Sequence, residues 1–219
     1  MYVAFTHPIA AWIDAIAPNE TATAAGAVVD CNSTNSFEAA VVAQASDLRR
    51  REFHTGRRLA RAALANLGCE PTAIIPDGNR VPGWPAGFIG SISHTRSLCV
   101  AHVGTSKELV GIGIDLELNR SCPPEIVFQI SCPNEGKGAA PASHLPRFVA
   151  KEAFYKAYFP VTRAWLEFQD VFVEFDRRGD KFLASIVNIT KPSIGGRRSF
   201  EGHFNVIDDH IVAIVWIGC

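Results

Sequence analysis

A helix-length segment followed by short alternating strands occurs twice in this chain, and that recurring order limits the fold more than any other feature. In the first half, "SDLRRREFHTGRRLARAALANLG" predicts a helix from Ser46 to about Leu67. Ser46 suits an N-cap and Gly68 the residue after the last turn, and Leu48, Phe53, Leu59, Ala63, Leu64 and Leu67 supply an inner face. Residues Phe37 to Ala45 are also expected to be helical, and "PDGNRVPGWPAG" (76–87) is a loop dense in Gly and Pro. Strands are expected at Phe88–Ser93, Leu98–Val103 and Val110–Glu117. In the second half, "HLPRFVAKEAFYKAYFP" (144–160) reads as a helix that Pro160 stops. Strands follow near Val171–Phe175, Phe182–Ile189, Ser199–Val206 and Ile211–Ile217. The expected fold class is α+β, with two similar α+β halves in one chain. Residues 1–118 form the first half and 119–219 the second. The stretch 119–145, rich in Pro, Ser, Gly and Asn, is the connecting segment.

The 219 residues are enough for a sizeable core, and 47% hydrophobic with 20% charged residues is the balance of a globular protein. A net charge of -1 gives no global field to draw the chain onto nucleic acid or a membrane, so any anion site must be a local cluster of bases. The opening "MYVAFTHPIAAWIDAIAP" lacks a basic start and is broken by His7, Pro8 and Asp14, which argues against a secretory signal. The six cysteines (31, 69, 99, 122, 132 and 219) are scattered without a CxxC pair. That spacing gives no support to zinc and favours reduced thiols in a cytoplasmic protein.

The candidate chemistry starts in "VGIGIDLE" (110–117). Apolar residues alternate on one face; the other carries Gly111 and Gly113 and then Asp115 and Glu117, roughly 7 Å apart by strand rise. Two carboxylates that close repel unless a cation relieves them, and Mg²⁺ favours such oxygen ligands. A solvated acidic strand end is the plain alternative, and the glycines are expected to leave that face open to a ligand. In "FVAKEAFYK" (148–156), Glu152 and Lys156 share a helix face at i, i+4, with Lys151 on a neighbouring azimuth. They form either a surface pair, or a third acidic ligand or base with a lysine holding its orientation. In "GSISHT" (90–95), Ser93 and His94 can grip a phosphate or cap a turn. Arg50, Arg57 and Arg61 fall near one helical face, with Arg49 at its edge, where arginine forks suit phosphate.

Together these segments resemble the 4′-phosphopantetheinyl transferases of the Sfp type, including the enterobactin-synthase component D and mycobacterial branches. The matching stretches are "RRREFHTGRRLAR" (49–61), "VPGWPAGFIGSISHT" (81–95), "VGIGIDLE" (110–117), "FVAKEAFYKAYFP" (148–160) and "WLEFQDVFVEF" (165–175). The pairing of G-I-D-x-E with F-x-x-K-E-x-x-x-K is what makes the resemblance specific. It implies two α+β halves related by a pseudo-twofold with the active site between them. The implied activity moves the 4′-phosphopantetheine arm of coenzyme A onto a serine of an apo acyl or peptidyl carrier protein and releases adenosine 3′,5′-bisphosphate. Asp115, Glu117 and Glu152 then correspond to the Mg²⁺ carboxylates, with Mn²⁺ as a substitute. Ser93 and His94 correspond to phosphate contacts, and Arg49, Arg57 and Arg80 to bases for the nucleotide end. Lys151 and Lys156 match the lysines of K-E-x-x-x-K; Lys151 is expected at the coenzyme, and Glu152, Lys156 and His94 in catalysis. The resemblance also implies a monomer serving polyketide, nonribosomal-peptide or siderophore synthesis. Asn79–Arg80 stand where some relatives carry a lysine, and the segment 119–145 is poor in basic and apolar anchors for a carrier.

Two other functions fit parts of the pattern. A Mg²⁺-dependent nuclease also combines D, E and K, but it would set Glu and Lys on one strand and carry more basic charge. A non-catalytic module that binds coenzyme A or a carrier would be expected to have lost a carboxylate, and all three are present.

Overall fold

A computed structural model describes residues 7–30, 35–120, 127, 129–133, 135, 144–176, 178 and 180–219. The chain divides into two compact units, Met1–Leu109 and Val110–Cys219.

The first unit is a three-stranded antiparallel sheet with helices. Its elements are α1 (Pro8–Ile16), β1 (Thr21–Ala27), α2 (Ser36–Val41), α3 (Asp47–Asn66), β2 (Phe88–His94) and β3 (Leu98–Thr105). The strand order is β1-β3-β2, with Ala24 opposite Ala101 and Ser91 opposite His102. Helix α3 begins where expected: the Ser46 hydroxyl accepts from the Arg49 N–H at 3.3 Å, filling one of the orphan donors of the first turn. It ends on Gly68 at φ +77°, a left-handed conformation that glycine adopts without strain. Leu59, Ala60, Ala63 and Leu64 pack with Ala101 and Val103 to form the core. A β-carbon at Gly56 would lie 3.0 Å from Ile92, so α3 sits close on the sheet.

The second unit holds β4 (Leu109–Leu118), α4 (His144–Thr162), a 3₁₀ turn at Phe168–Asp170, β5 (Val171–Phe175), β6 (Lys181–Ile186), β7 (Ser199–Ile207) and β8 (His210–Gly218). The five-stranded order is β4-β8-β7-β6-β5. Val149, Ala153, Phe154, Ala157 and Tyr158 of α4 pack on Val173, Phe182, Ala184, Phe200, Ala213 and Val215, with Phe154 stacked 5.4 Å from Phe200. Two α+β units are therefore present, as the pattern predicts.

Three differences from the sequence reading have physical reasons. The division falls at Leu109/Val110 rather than at 118, because β4 joins the sheet of the second unit beside β8. Most of the expected connecting segment 119–145 lies outside the described residues. Helix α4 runs through Pro160 to Thr162. A proline this near the C-terminus removes one bond of the last turn, and the stop comes from Arg163 at φ +56°, whose N–H returns to the Phe159 carbonyl at 2.8 Å. Finally, β1 is a strand made of "TATAAGA", small residues of weak strand propensity that pair because β3 offers an edge.

Candidate active site

Asp115 and Glu117 project from the same face of β4 as Gly111 and Gly113. That face is not open. A β-carbon at Gly113 would come within 1.9 Å of the Ala153 carbonyl oxygen, and one at Gly111 within 2.5 Å of the Ala157 oxygen. The glycines let α4 lie directly on β4, which corrects the expectation that they admit a ligand. Their effect is to bring the Glu152–Lys156 turn of α4 beside the acidic end of the strand.

Lys156 Nζ donates to Asp115 Oδ1 at 2.6 Å, so the lysine's close partner is the strand acid rather than its helix neighbour Glu152. Asp115 is buried, Glu117 and Glu152 partly so. Burial pushes the Glu152 carboxyl above its ordinary range; Asp115 and Glu117 push it further and Lys156 pulls it down. Glu117 is raised in the same way, first by burial and then by Asp115, against the pull of Lys156 and Arg120. The three carboxylates thus share one electrostatic neighbourhood. Among the described residues, however, no three Asp, Glu, His or Cys side chains are drawn together as a ligand set. The donors fit a hard dication in chemistry, all oxygen and mutually repelling. In this arrangement the Lys156 ammonium supplies the positive charge.

Glu152 also borders a cleft of about 180 Å³ lined by Lys151, Tyr155, Trp165, Leu166, Glu167, Phe168 and Val171. Tyr155 meets Trp165 edge-to-face at 5.3 Å, and Trp165 is 60% exposed at the rim. These aromatics were outside the residues singled out by charge and spacing; a largely apolar cleft beside a perturbed carboxyl is the signal that finds them.

In the first unit, Arg49 and His94 come together. Arg49 donates through a terminal nitrogen to His94 Nε2 at 2.7 Å, and Glu52 Oε2 lies 3.5 Å from Arg49 and 3.6 Å from His94 Nδ1. A guanidinium can only donate, so Nε2 accepts and the ring proton sits on Nδ1, facing Glu52. Glu52 was not anticipated, although its place one turn after Arg49 made the contact available. Ser93 is buried and, as the next residue along β2, points to the opposite face from His94. Only its backbone can act on the His94 side.

The expected arginine face is dispersed. Arg50 turns back to Asp47 and the Ala45 carbonyl, and Arg61 pairs with buried Glu38 at 2.5 Å. Arg57 is buried over the Phe53 ring at 4.4 Å, gives its Nε–H to the Ile74 carbonyl at 2.7 Å, and is lowered by burial to about 10. Arg80 is exposed on the 77–81 turn at φ +67°.

Lys151 departs most from expectation. Its side chain is 2% exposed and its ammonium is filled by Glu135 Oε2 at 2.6 Å and the carbonyls of Ile130 and Phe168 at 2.7 and 2.9 Å. Three donors already meet three acceptors, so no proton is left for a coenzyme phosphate. The nuclease pattern also fails, since both lysines belong to α4 and not to the acidic strand. Cys69, Cys99, Cys132 and Cys219 are not in disulfides, and no helix among the described residues is long and apolar enough to cross a membrane.

The geometry thus defines an enzyme-like site in which acids and a lysine meet beside an apolar cleft, and comparison with known proteins gives the class. The 4′-phosphopantetheinyl transferase N-terminal domain model matches residues 37–104, and the 4′-phosphopantetheinyl transferase superfamily model matches residues 111–215. The two matches fall on either side of the Leu109/Val110 division. The chain is 34% identical over 188 residues to 4′-phosphopantetheinyl transferase Svp of Streptomyces mobaraensis, covering 81% of this chain and 76% of Svp. It is 38% identical over 145 residues to the transferase PptT of Mycobacterium tuberculosis, covering 64% of each. Enterobactin synthase component D of Salmonella typhi is 34% identical over 117 residues, 50% of this chain and 48% of its own length. This chain belongs to the 4′-phosphopantetheinyl transferase family of enzymes.

Proposed function

We propose that the enzyme moves the 4′-phosphopantetheine arm of coenzyme A onto a serine hydroxyl of an apo carrier protein. The observation that carries this reading is the convergence of Asp115, Glu117, Glu152 and Lys156 beside an apolar cleft. In the proposed reaction the serine oxygen attacks the phosphorus that bears the pantetheine arm. A new P–O bond forms, the pyrophosphate P–O bond breaks, and adenosine 3′,5′-bisphosphate leaves with the electron pair.

Glu152 is the base we favour for the serine proton. Burial and its acidic neighbours raise its proton affinity above that of an ordinary carboxylate, which makes it the stronger base. Lys156 offsets part of the negative charge and holds Asp115 in place at 2.6 Å. The apolar cleft walls suit the uncharged pantetheine arm, with Tyr155 and Trp165 excluding water from the reacting end. Asp115, Glu117 and Glu152 would hold Mg²⁺, or Mn²⁺ in its place. When bound, that ion neutralises charge growing on the diphosphate oxygens. Arg49 and His94 are suited to the nucleotide phosphates: the hydrogen bond between them can open so that both turn to an anion, with Glu52 steadying a protonated imidazole. Arg57, Arg80 and the Ser93 backbone are secondary candidates for the same end. Lys151 is not part of this set.

The test is intact-mass measurement. Incubation with coenzyme A, Mg²⁺ and a panel of apo carriers is expected to add about 340 Da to at least one, the mass of the arm alone. A panel that stays unmodified, with a control transferase active on the same carriers, would sink the reading. The identity of the modified carrier assigns the pathway.

A further inference from the structure

The pair Glu135–Lys151 is buried and is not used by the acid cluster. Glu135 is fully buried and Lys151 nearly so. The Glu135 carboxylate accepts from Lys151 Nζ at 2.6 Å, from the Cys132 N–H at 2.7 Å and, through its other oxygen, from the Val173 N–H at 2.6 Å. The ammonium in turn reaches the Ile130 and Phe168 carbonyls. Cys132 adds a thiol contact to the Val171 carbonyl at 3.1 Å. One ion pair therefore ties together Ile130, Cys132 and Glu135, the middle of α4, the 3₁₀ turn and β5, which is the edge strand of its sheet.

Burying two charges carries a desolvation penalty, and an apolar pair of similar size often stabilises a fold as well or better. What apolar side chains lack is direction. Part of what is held here is one wall of the cleft: Lys151 itself, Phe168 through its carbonyl and Val171 through the Cys132 thiol line it beside Glu152. We propose that Glu135 and Lys151 are positioning residues whose ion pair clamps this wall so that the cleft is shaped for the pantetheine arm. This rests on the functional reading above, and it changes what Lys151 does in the K-E-x-x-x-K element: it holds the wall, and the substrate contacts fall to its neighbours. The clamp acts on binding of the arm more than on proton transfer, because Glu152 keeps its place against Asp115 and Lys156.

The double variant Glu135→Met/Lys151→Met removes both charges and leaves no unpaired buried ion. It is expected to melt within about 5 °C of the parent. The KM for coenzyme A is expected to rise about tenfold or more, with kcat changed less than about threefold. Affinity for adenosine 3′,5′-bisphosphate, which has no arm, is expected to stay within about twofold. A merely structural pair would not separate the two ligands. A folded double variant with parental KM, or with both ligands weakened equally, overturns the clamp. Hydrogen exchange on the unaltered enzyme decides the matter if the variant does not fold. The Val173 amide is expected to exchange about tenfold more slowly with coenzyme A bound than with the bisphosphate. Equal exchange with the two ligands also overturns the clamp. Failure of the functional reading looks different, as a parent enzyme that moves no arm onto any carrier.

Discussion

Asp115 sits beside two other carboxylates, Glu117 and Glu152, and one lysine, Lys156, and its removal should separate chemistry from stability. Asp115→Ala deletes the partner of Lys156, which is 29% exposed and can reach water, and it also relieves repulsion on Glu117 and Glu152. The expected outcome is a loss of arm transfer of about 100-fold or more with a melting temperature within a few degrees of the parent. Intact-mass time courses and thermal melts check both halves. His94→Ala should weaken coenzyme A binding by about tenfold, read by calorimetry. A buried histidine gives a different prediction. The His102 ring lies at 2.9 Å from the Thr23 hydroxyl, which donates to Asp14; burial lowers its pKa to about 3 from an ordinary 6.5. Between those values the unfolded chain binds a proton that the folded one refuses, so stability falls as pH is lowered through that window. The slope is up to about 1.4 kcal/mol per pH unit. His102→Gln, which keeps a donor for Thr23, should show a shallower loss in urea titrations at pH 7, 6 and 5. The placement of Asp115, Glu117, Glu152 and Lys156 was legible in the sequence because spacing alone puts them on one strand face and one helix face. Glu52 and Glu135 were not, since their meaning comes from partners many residues away.

At the level of elements, the contact of β4 with α4 decides whether the acids and the lysine meet. Gly113→Ala would force a methyl into the Ala153 carbonyl and the Ala157 nitrogen, backbone atoms that cannot rotate away. A loss of about 3 kcal/mol or more is expected, seen as a fall in melting temperature and as poor soluble yield. The period-two pattern of "VGIGIDLE" announced the strand and its buried Ile112, Ile114 and Leu116 face correctly. It could not say what covers the glycine face, because periodicity assigns sides without assigning neighbours. The same limit explains β1: the alternation in "TATAAGA" covers only Thr21–Ala24 and sets small residues on both faces, and its pairing with β3 makes it a strand. Helix α3 was readable to within a residue because Ser46 and Gly68 are local signals that need no tertiary partner.

For the whole molecule, a net charge of -1 hides a local excess of acid in the second unit and bases along α3 in the first. A divalent cation is expected to bind only where the acids gather. Millimolar Mg²⁺ should raise the melting temperature of the parent enzyme, equivalent to about 1.4 kcal/mol at ten times its dissociation constant, and should leave that of Asp115→Ala unchanged. Excess chelator should abolish arm transfer and added Mg²⁺ should restore it. Two α+β halves were foreseeable from the order of helix and strands; the exact crossing point was not. Val110–Glu117 follows the strands of the first half in sequence yet completes the sheet of the second, and sequence proximity argues for the wrong side.

The hydrogen-only seam at Gly111 and Gly113 has a consequence for anyone scanning this protein by saturation mutagenesis. Both positions should tolerate almost nothing, yet neither need touch a substrate atom. Their silence in a fitness map would mimic that of Asp115 two residues on. Only a readout that separates folded yield from turnover will tell spacers from reagents.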